Sequence, residues 1–321
     1  MTITPENPES RVAICICTHS RAQELKQVLS SLRNIDLGTW SAGDVELLVI
    51  DNSPSSTTRD ICEDIGATLP IELHYSTEPK PGITYARNRA VALALERGAR
   101  FIAFIDDDDI PRSDWLLQLL ERQQETHADI VFGSWIMDEQ MPQWAEGAGI
   151  FRPPNKVKRK TKDSRYGLPS CASTCNVLVG RDILERVGAQ GPIFSHAFCN
   201  SGGEDKDFFI RARNVGALLT SADDSLIHRN HDVTRYSARG LLRRGFKNGC
   251  SQVNMARTHG SNNRMFKMFS SAFAKLLLSL ISLPFLIFSK SKTMHNLYRM
   301  AKSGGVLYTT LTGRSIKYYA G

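Results

Sequence analysis

The strongest constraint on this chain of 321 residues is a rhythm in its first 133, where short apolar runs alternate with helical periodicity. VAICICT (Val12 to Thr18) reads as a buried strand, and Arg21 to Asn34 as a helix with Leu25, Val28, Leu29 and Leu32 on one face. VELLVID (Val45 to Asp51) leads through the turn Asn52-Ser53-Pro54 to a helix near Thr57 to Ile65. IELHYS (Ile71 to Ser76) leads through a Pro/Gly loop to a helix from Thr84 to Arg97. FIAFID, ending at Asp106, precedes a helix capped by Ser113 and a fifth strand, DIVFG (Asp129 to Gly133). Strands that are apolar almost throughout must be covered on both faces. The alternation therefore predicts an α/β fold with a mostly parallel, Rossmann-like sheet flanked by helices. Ligands of such sheets sit beyond the carboxyl ends of the strands.

After Gly133 the rhythm breaks. Trp135, Trp144, Pro142, Pro153, Pro154 and the basic run Lys156 to Lys162 read as loop, followed by a strand near Cys175 to Val179 and a helix from Arg181 to Val187. A further helix starts near Glu204, carries Phe208, Phe209, Ala212 and Val215 at helical spacing, and stops at Gly216.

Charge divides the chain differently. The net charge is +7, yet no Asp or Glu follows Asp232, so residues 233–321 hold 15 Lys/Arg and no acid while residues 1–232 carry a net −8. An acidic body argues against a nucleic-acid partner, and a basic end suits a polyanionic surface. The start, MTITPENPESR, has neither the basic nor the apolar segment of an export signal, which predicts a cytoplasmic protein. The seven scattered cysteines read as reduced thiols; Cys171 and Cys175 are too few for a four-ligand zinc site.

Four segments carry candidate chemistry. IDDDDIP (Ile105 to Pro111) places four carboxylates in succession at a strand end, where their repulsion calls for a cation. In an extended chain Asp106 and Asp108 share one face, which suits one hard divalent ion, Mn²⁺ or Mg²⁺; some of the four could equally be caps or solvated turn residues. Asp51 also ends a strand; it is either an ordinary turn former or a hydrogen-bond partner for a base or ribose. In PGITYARN (Pro81 to Asn88) an N-cap at Thr84 puts Arg87 at the third helical position, against the helix dipole. It is either a solvated surface arginine or, with the helix N-terminus, a partner for a diphosphate. In SGGEDKDFF (Ser201 to Phe209), Ser201 and Glu204 match a capping box, which leaves Asp205 and Asp207 unexplained and one carboxylate available as a general base.

In this order and spacing, CICTHSR, VIDNS, GITYARN, IDDDDIP and GGEDKDF resemble the family 2 glycosyltransferases with the GT-A fold, in particular bacterial polysaccharide enzymes of the succinoglycan type. The resemblance spans roughly Arg11 to Gly249. It implies an inverting transfer from a nucleotide-diphosphate sugar, a UDP-sugar, to a hydroxyl of a lipid-linked saccharide. Thr18, His19, Ser20 and Arg21 would then face the nucleotide, with Asp51 at the nucleoside and Arg87 beyond the third strand. Asp106 and Asp107 would lie at the sugar nucleotide, Asp106 and Asp108 on the metal, and Asp205 would be the base, with Glu204 beside it at the acceptor. His228 or His231 would supply a third metal ligand, and His228 is preferred.

The implied organisation is a polar tail (1–10), a catalytic domain (11–236) with a nucleotide-binding half (11–133) and an acceptor half (134–236), and a basic helical membrane-associated region (237–321). Within the last, AFAKLLLSLISLPFLIF (Ala272 to Phe288) is apolar on nearly all sides. At about 1.5 Å per residue it reaches only about 26 Å, short of the hydrocarbon core. It therefore reads as an interfacial or re-entrant helix on the inner face of the cell membrane, with Lys290, Lys292, Arg299 and Lys302 at anionic headgroups; the alternative is a buried core helix. Two other functions compete. A metal-dependent nucleotidyl- or phosphotransferase needs a first-strand nucleophile or a glycine-rich phosphate loop, and VAICICTHSR offers neither. An inactive sugar-nucleotide-binding membrane scaffold would not need Glu204 and Asp205 beside intact Asp106 and Asp108.

Overall fold

A computed structural model describes residues 11–53, 55–137, 142, 144, 168, 172–199, 201–229, 237–260 and 262–314. The tail 1–10, the basic run Lys156 to Lys162, Cys171 and His231 lie outside these. The chain divides into two compact units. The first comprises Met1–Met137, Pro153–His196 and Glu204–Asn230, and the second Asp138–Arg152, Ala197–Gly203 and His231–Gly321.

The first unit is built on an eight-stranded sheet. Its first half contains β1 (Val12–Thr18), β2 (Val45–Asp51), β3 (Glu72–Thr77) and β4 (Phe101–Asp106), joined by α1 (Ala22–Ser31), α2 (Ser56–Gly66) and α3 (Ile83–Glu96). These four strands are parallel, as the rhythm predicts, in the order β3-β2-β1-β4. Val12, Ile14 and Ile16 join a core with Leu25, Val28 and Leu29 of α1, while the intervening Ala13 and Cys15 are equally buried on the other face.

The second half follows a different logic. It comprises β5 (Asp109–Pro111), α4 (Trp115–Thr126), β6 (Ile130–Met137), β7 (Asn176–Gly180), α5 (Arg181–Gly188), α6 (Glu204–Asn214) and β8 (Leu219–Arg229). β7 inserts antiparallel between β4 and β6, and β8 runs parallel to β6 but antiparallel to β5, so the sheet is mixed with four parallel pairings. Sequence periodicity gives no sign of β8, because LTSADDSLIHR is polar for most of its length. Two boundaries also differ from expectation. The residue before α4 is Asp114, with no side-chain cap, rather than Ser113. β6 continues past Gly133 through an irregularity in its pairing with β8. A Cβ at Gly133 would collide with the Asn176 amide, whose nitrogen donates to the Ser134 and Ser225 carbonyls at 3.0 Å each. Beneath the sheet, Phe104 meets Phe194, which meets Phe208 of α6.

The second unit is helical, with α7 (Ala238–His259), α8 (Asn262–Leu286) and α9 (Lys290–Thr312). α7 and α9 pack at glycine contacts: a Cβ at Gly249 would overlap the Lys302 carbonyl, and one at Gly305 the Phe246 carbonyl. The basic amphipathic run beginning at Ala238 is thus one face of a packed helix. α8 corrects one expectation, its length, and goes against one alternative. At 25 residues it is about 37 Å long, so length no longer argues against a span, although Pro284 lies inside it. It is also not a core helix within this chain, since Phe266, Phe273, Leu278, Ile281 and Phe285 are all exposed, the last at 78%. Among the described residues Cys15, Cys17, Cys62, Cys175 and Cys250 are free thiols.

Candidate active site

Strand register assembles the site. Thr18 lies opposite Asp51, and Cys17 opposite both Ile50 and Asp106, so β1, β2 and β4 end at one level and present their last residues on one edge. Asp51 is fully buried and accepts hydrogen bonds from the Tyr75 hydroxyl (3.0 Å) and the Ser53 backbone N–H (2.9 Å). Burial and this bond push the Tyr75 hydroxyl up to about 12. On the first loop, His19 Nδ1 lies 3.2 Å from the Asn52 carbonyl oxygen. Ser20 adopts φ +56°, a left-handed conformation uncommon for a residue with a side chain, and its hydroxyl donates to that of Ser53 at 2.9 Å.

Asn52 organises this edge. Its Nδ2 donates to the carbonyls of Glu78 (2.8 Å) and Lys80 (2.7 Å), its Oδ1 accepts from Gly82 N–H (2.6 Å), and its own N–H reaches Thr18 O (2.9 Å). One amide thus ties the ends of β1 and β2 to the loop that starts α3. From the sequence Asn52 is a turn residue, and its strand-end place beside Asp51 is the one signal of this wider part.

The four acids after β4 do not alternate as an extended chain would. β4 stops at Asp106, the chain turns through Asp107 and Asp108, and Asp109 opens β5. Arg21 donates from one nitrogen to both Asp107 (3.0 Å) and Asp108 (2.9 Å). Arg87 Nη2 lies 3.5 Å from Asp106 Oδ1, and Arg229 holds Asp109 through Nε (3.2 Å) and Nη2 (2.9 Å). Burial raises Asp107 to about 6 against the pull of Arg21, and Asp109 to about 7 against that of Arg229. The compensation is therefore incomplete.

Arg87 also reaches the other acidic motif. Its Nη1 donates to Glu204 Oε1 at 2.7 Å, with Arg87 8% and Glu204 7% exposed, and its guanidinium lies 5.7 Å from the Phe194 ring centre. This is a buried ion pair rather than a solvated surface arginine. Burial pushes the Glu204 carboxyl above its ordinary value, while Arg87 holds it down. Glu204 is thus occupied by Arg87, and the Ser201 hydroxyl donates to the Gly202 carbonyl (3.4 Å), so neither makes the capping-box bonds. Asp205, next on α6, is partly exposed, and its Oδ1 accepts from Lys206 N–H at 2.7 Å. Asp207 is accounted for by its pair with Arg211 (2.9 Å), one turn along the helix.

The structure thus brings Asp106, Arg87 and Glu204 into one chain of contacts, and Arg21, Asp107 and Asp108 into another. It does not draw in His228, which is exposed on β8 opposite Ile110, on the strand face away from Ile227 and Arg229. Among the described residues, the one group whose ligand atoms lie within 4.8 Å of one another is Asp106, Asp109 and Cys175. Within it Asp109 is engaged by Arg229, and burial pushes the Cys175 thiol up to about 12. Asp106 and Asp108, the pair expected from the sequence, likewise meet guanidinium groups, Arg87 and Arg21, and the grouped ligand atoms include Asp109 and Cys175 in place of Asp108. Five carboxylates (Asp106, Asp107, Asp108, Asp109 and Glu204) face three guanidinium groups (Arg21, Arg87 and Arg229), an excess of negative charge that fits a divalent ion.

Residues 13–188 match the family described as glycosyl transferase family 2. The chain belongs to that family. It is 28% identical over 256 residues to the succinoglycan biosynthesis protein ExoM of Rhizobium meliloti, covering 79% of this chain and 75% of that one. It is 25% identical over 243 residues to the glycosyltransferase AglE of Haloferax volcanii, covering 75% and 73%. In fold, this family 2 glycosyltransferase is similar to the mannosyltransferase PcManGT from Pyrobaculum calidifontis, solved with GDP-Man and Mn²⁺. The TM-score is 0.62 at 16% identity, over 96% of this chain and 90% of that one. It is also similar to S. aureus TarS 1-349 in complex with UDP, with a TM-score of 0.53 at 16% identity, over 97% and 93% of the two chains. At such identities the likeness establishes a GT-A fold, which is the architecture expected from the sequence.

Proposed function

We propose that this glycosyltransferase moves a hexosyl group from a UDP-sugar to a hydroxyl of a lipid-linked saccharide, with inversion, in the synthesis of a cell-surface polysaccharide. The observation that carries the reading is the Arg87 bridge, which joins the β4 strand end at Asp106 to the acidic motif at Glu204. In this reading Thr18, His19, Ser20 and Arg21 face the nucleotide, Asp51 meets the nucleoside, and Asp106 and Asp107 meet the sugar nucleotide. Asp106 and Asp108 would hold Mn²⁺ or Mg²⁺, an ion that when bound supplies positive charge for the leaving diphosphate. Arg87 adds a fixed guanidinium on the same side. Asp205 takes the proton of the acceptor hydroxyl, whose oxygen attacks the anomeric carbon from the face opposite the diphosphate, and Glu204 orders the neighbouring acceptor side. The R. meliloti relative's role in succinoglycan biosynthesis supports the saccharide acceptor.

Two experiments test this. UDP-, GDP- and dTDP-sugars assayed with Mn²⁺ for hydrolysis identify the donor without an acceptor. Asp205→Asn should abolish transfer yet leave sugar-nucleotide binding largely intact; transfer near the wild-type rate would refute the base. For location, the exposed apolar face of α8 and the acid-free end support a peripheral or monotopic protein on the anionic inner face of the cell membrane. Full-length protein should float with anionic liposomes, and a variant with the exposed Phe273, Leu278, Ile281 and Phe285 all replaced by Gln should not. Equal flotation would sink the anchor.

A further inference from the structure

One stacked ring pair stands beside the catalytic contacts without a part in them. His196 lies over Tyr85, with ring centroids 4.2 Å apart and planes 19° from parallel. Thr84, which is fully buried, places its hydroxyl 3.3 Å from His196 Nδ1. Lys80 Nζ lies 5.8 Å from the Tyr85 ring centre. The imidazole is therefore held from below by a ring and at one nitrogen by a hydroxyl, yet His196 is exposed. A flat face held in place by a ring and a hydroxyl is suited to a ligand with an apolar face and hydroxyl edges.

Its place in the fold narrows the ligand. Thr84, Tyr85 and Arg87 all belong to the first turn and a half of α3, so the helix turn that holds His196 also holds Glu204. His196 precedes Glu204 by eight residues, and Asp205 follows it directly. Arg87 serves the diphosphate as well as Glu204, so the shared helix turn by itself does not choose a side; the acceptor side is chosen by the segment that carries His196, which leads into Glu204 and Asp205.

We infer that His196, seated on Tyr85 and oriented by Thr84, is a saccharide-stacking residue that receives a pyranose ring of the acceptor. This rests on the acceptor-side reading of Glu204 and Asp205. His196 makes the contact, and Tyr85 and Thr84 are positioning residues. A stacking contact is worth about a tenfold change in affinity, so the effect is large enough to read but small beside the loss of a catalytic group.

The test is binding of octyl β-D-glucoside, octyl β-D-galactoside and octyl α-D-mannoside, below their micellar concentrations, to full-length protein with UDP and Mn²⁺, read by saturation-transfer NMR. Octanol at matching concentration is the control for the alkyl chain. Wild type should bind at least one glycoside through its ring protons. His196→Ala and Tyr85→Ala should weaken that binding about tenfold, and His196→Phe, which keeps a ring, should restore most of it. Hydrolysis of the UDP-sugar in the absence of acceptor should stay within twofold of wild type in all three variants. Unchanged glycoside binding in His196→Ala, binding of no glycoside by wild type, or an equal loss of donor hydrolysis would each overturn the inference. Absence of donor hydrolysis in the wild type would instead overturn the functional reading beneath it.

Discussion

Replacing Arg87 with Met removes the guanidinium but keeps most of the side chain's length, leaving the Glu204 carboxylate buried without its partner. At 2.7 Å the pair attracts by about 6 kcal/mol for an effective dielectric constant near 20. The variant does not lose all of this, because Glu204 can take up a proton. From an ordinary value of 4.5, protonation costs about 4 kcal/mol at pH 7.5 and about 1.4 kcal/mol at pH 5.5. The electrostatic part of the loss is therefore capped near those figures, at the level known for breaking buried pairs. The sign follows. In the variant the folded-state pKa of Glu204 lies further above its unfolded value, so its contribution is intact below pH 4.5 and stability falls as pH rises, by up to about 1.4 kcal/mol per unit. Urea unfolding followed by tryptophan fluorescence reads this out, since Trp40, Trp115 and Trp135 lie in the first unit. The reference is Arg87→Met/Glu204→Gln, in which the pH-dependent part should vanish. A stability loss for Arg87→Met that is equal at pH 5.5 and 7.5, or that persists in the double variant, refutes the argument that the pair is electrostatically coupled in a dry site.

Adding Mn²⁺ at about a hundred times its dissociation constant should stabilise the folded protein by about 2.7 kcal/mol, several degrees in Tm, and EDTA should reverse it. Asp106→Asn or Asp108→Asn should remove most of that shift in differential scanning fluorimetry. Asn52→Ala leaves Gly82 N–H and the Glu78 and Lys80 carbonyls without their side-chain partner and should cost about 2–4 kcal/mol in urea unfolding, with a raised KM for the sugar nucleotide. Gly133→Ala should lower Tm by several degrees, because its methyl group enters the space of the Asn176 amide in a tightly packed interior; substituting Asn176→Ser in the same chain should recover part of the loss.

Some of this was legible in the residues alone. The parallel half of the sheet is determined by local pattern, because β1, β2 and β4 are apolar on both faces and each is followed by an amphipathic or capped helix. That arrangement has few solutions, and it places Asp51 and Asp106 at the carboxyl ends of neighbouring strands. The mixed half was not legible. β8 is polar and joins the sheet only because β6 and β5 offer it unpaired backbone edges. Pairing between segments far apart in the chain leaves no periodicity to read.

The same division runs through the site. The residue types at Asp106 to Asp109 and at Glu204 and Asp205 declared an acidic centre that needs cations, since no arrangement of so many adjacent carboxylates is neutral by itself. Which cation serves which acid was decided by the tertiary structure. The turn after Asp106 sends Asp107 and Asp108 to Arg21 and Asp109 to Arg229, while α3 carries Arg87 to Glu204 across 117 residues of chain. Charge is a property of composition, but compensation is a matter of distance, and distance is set by the packed fold.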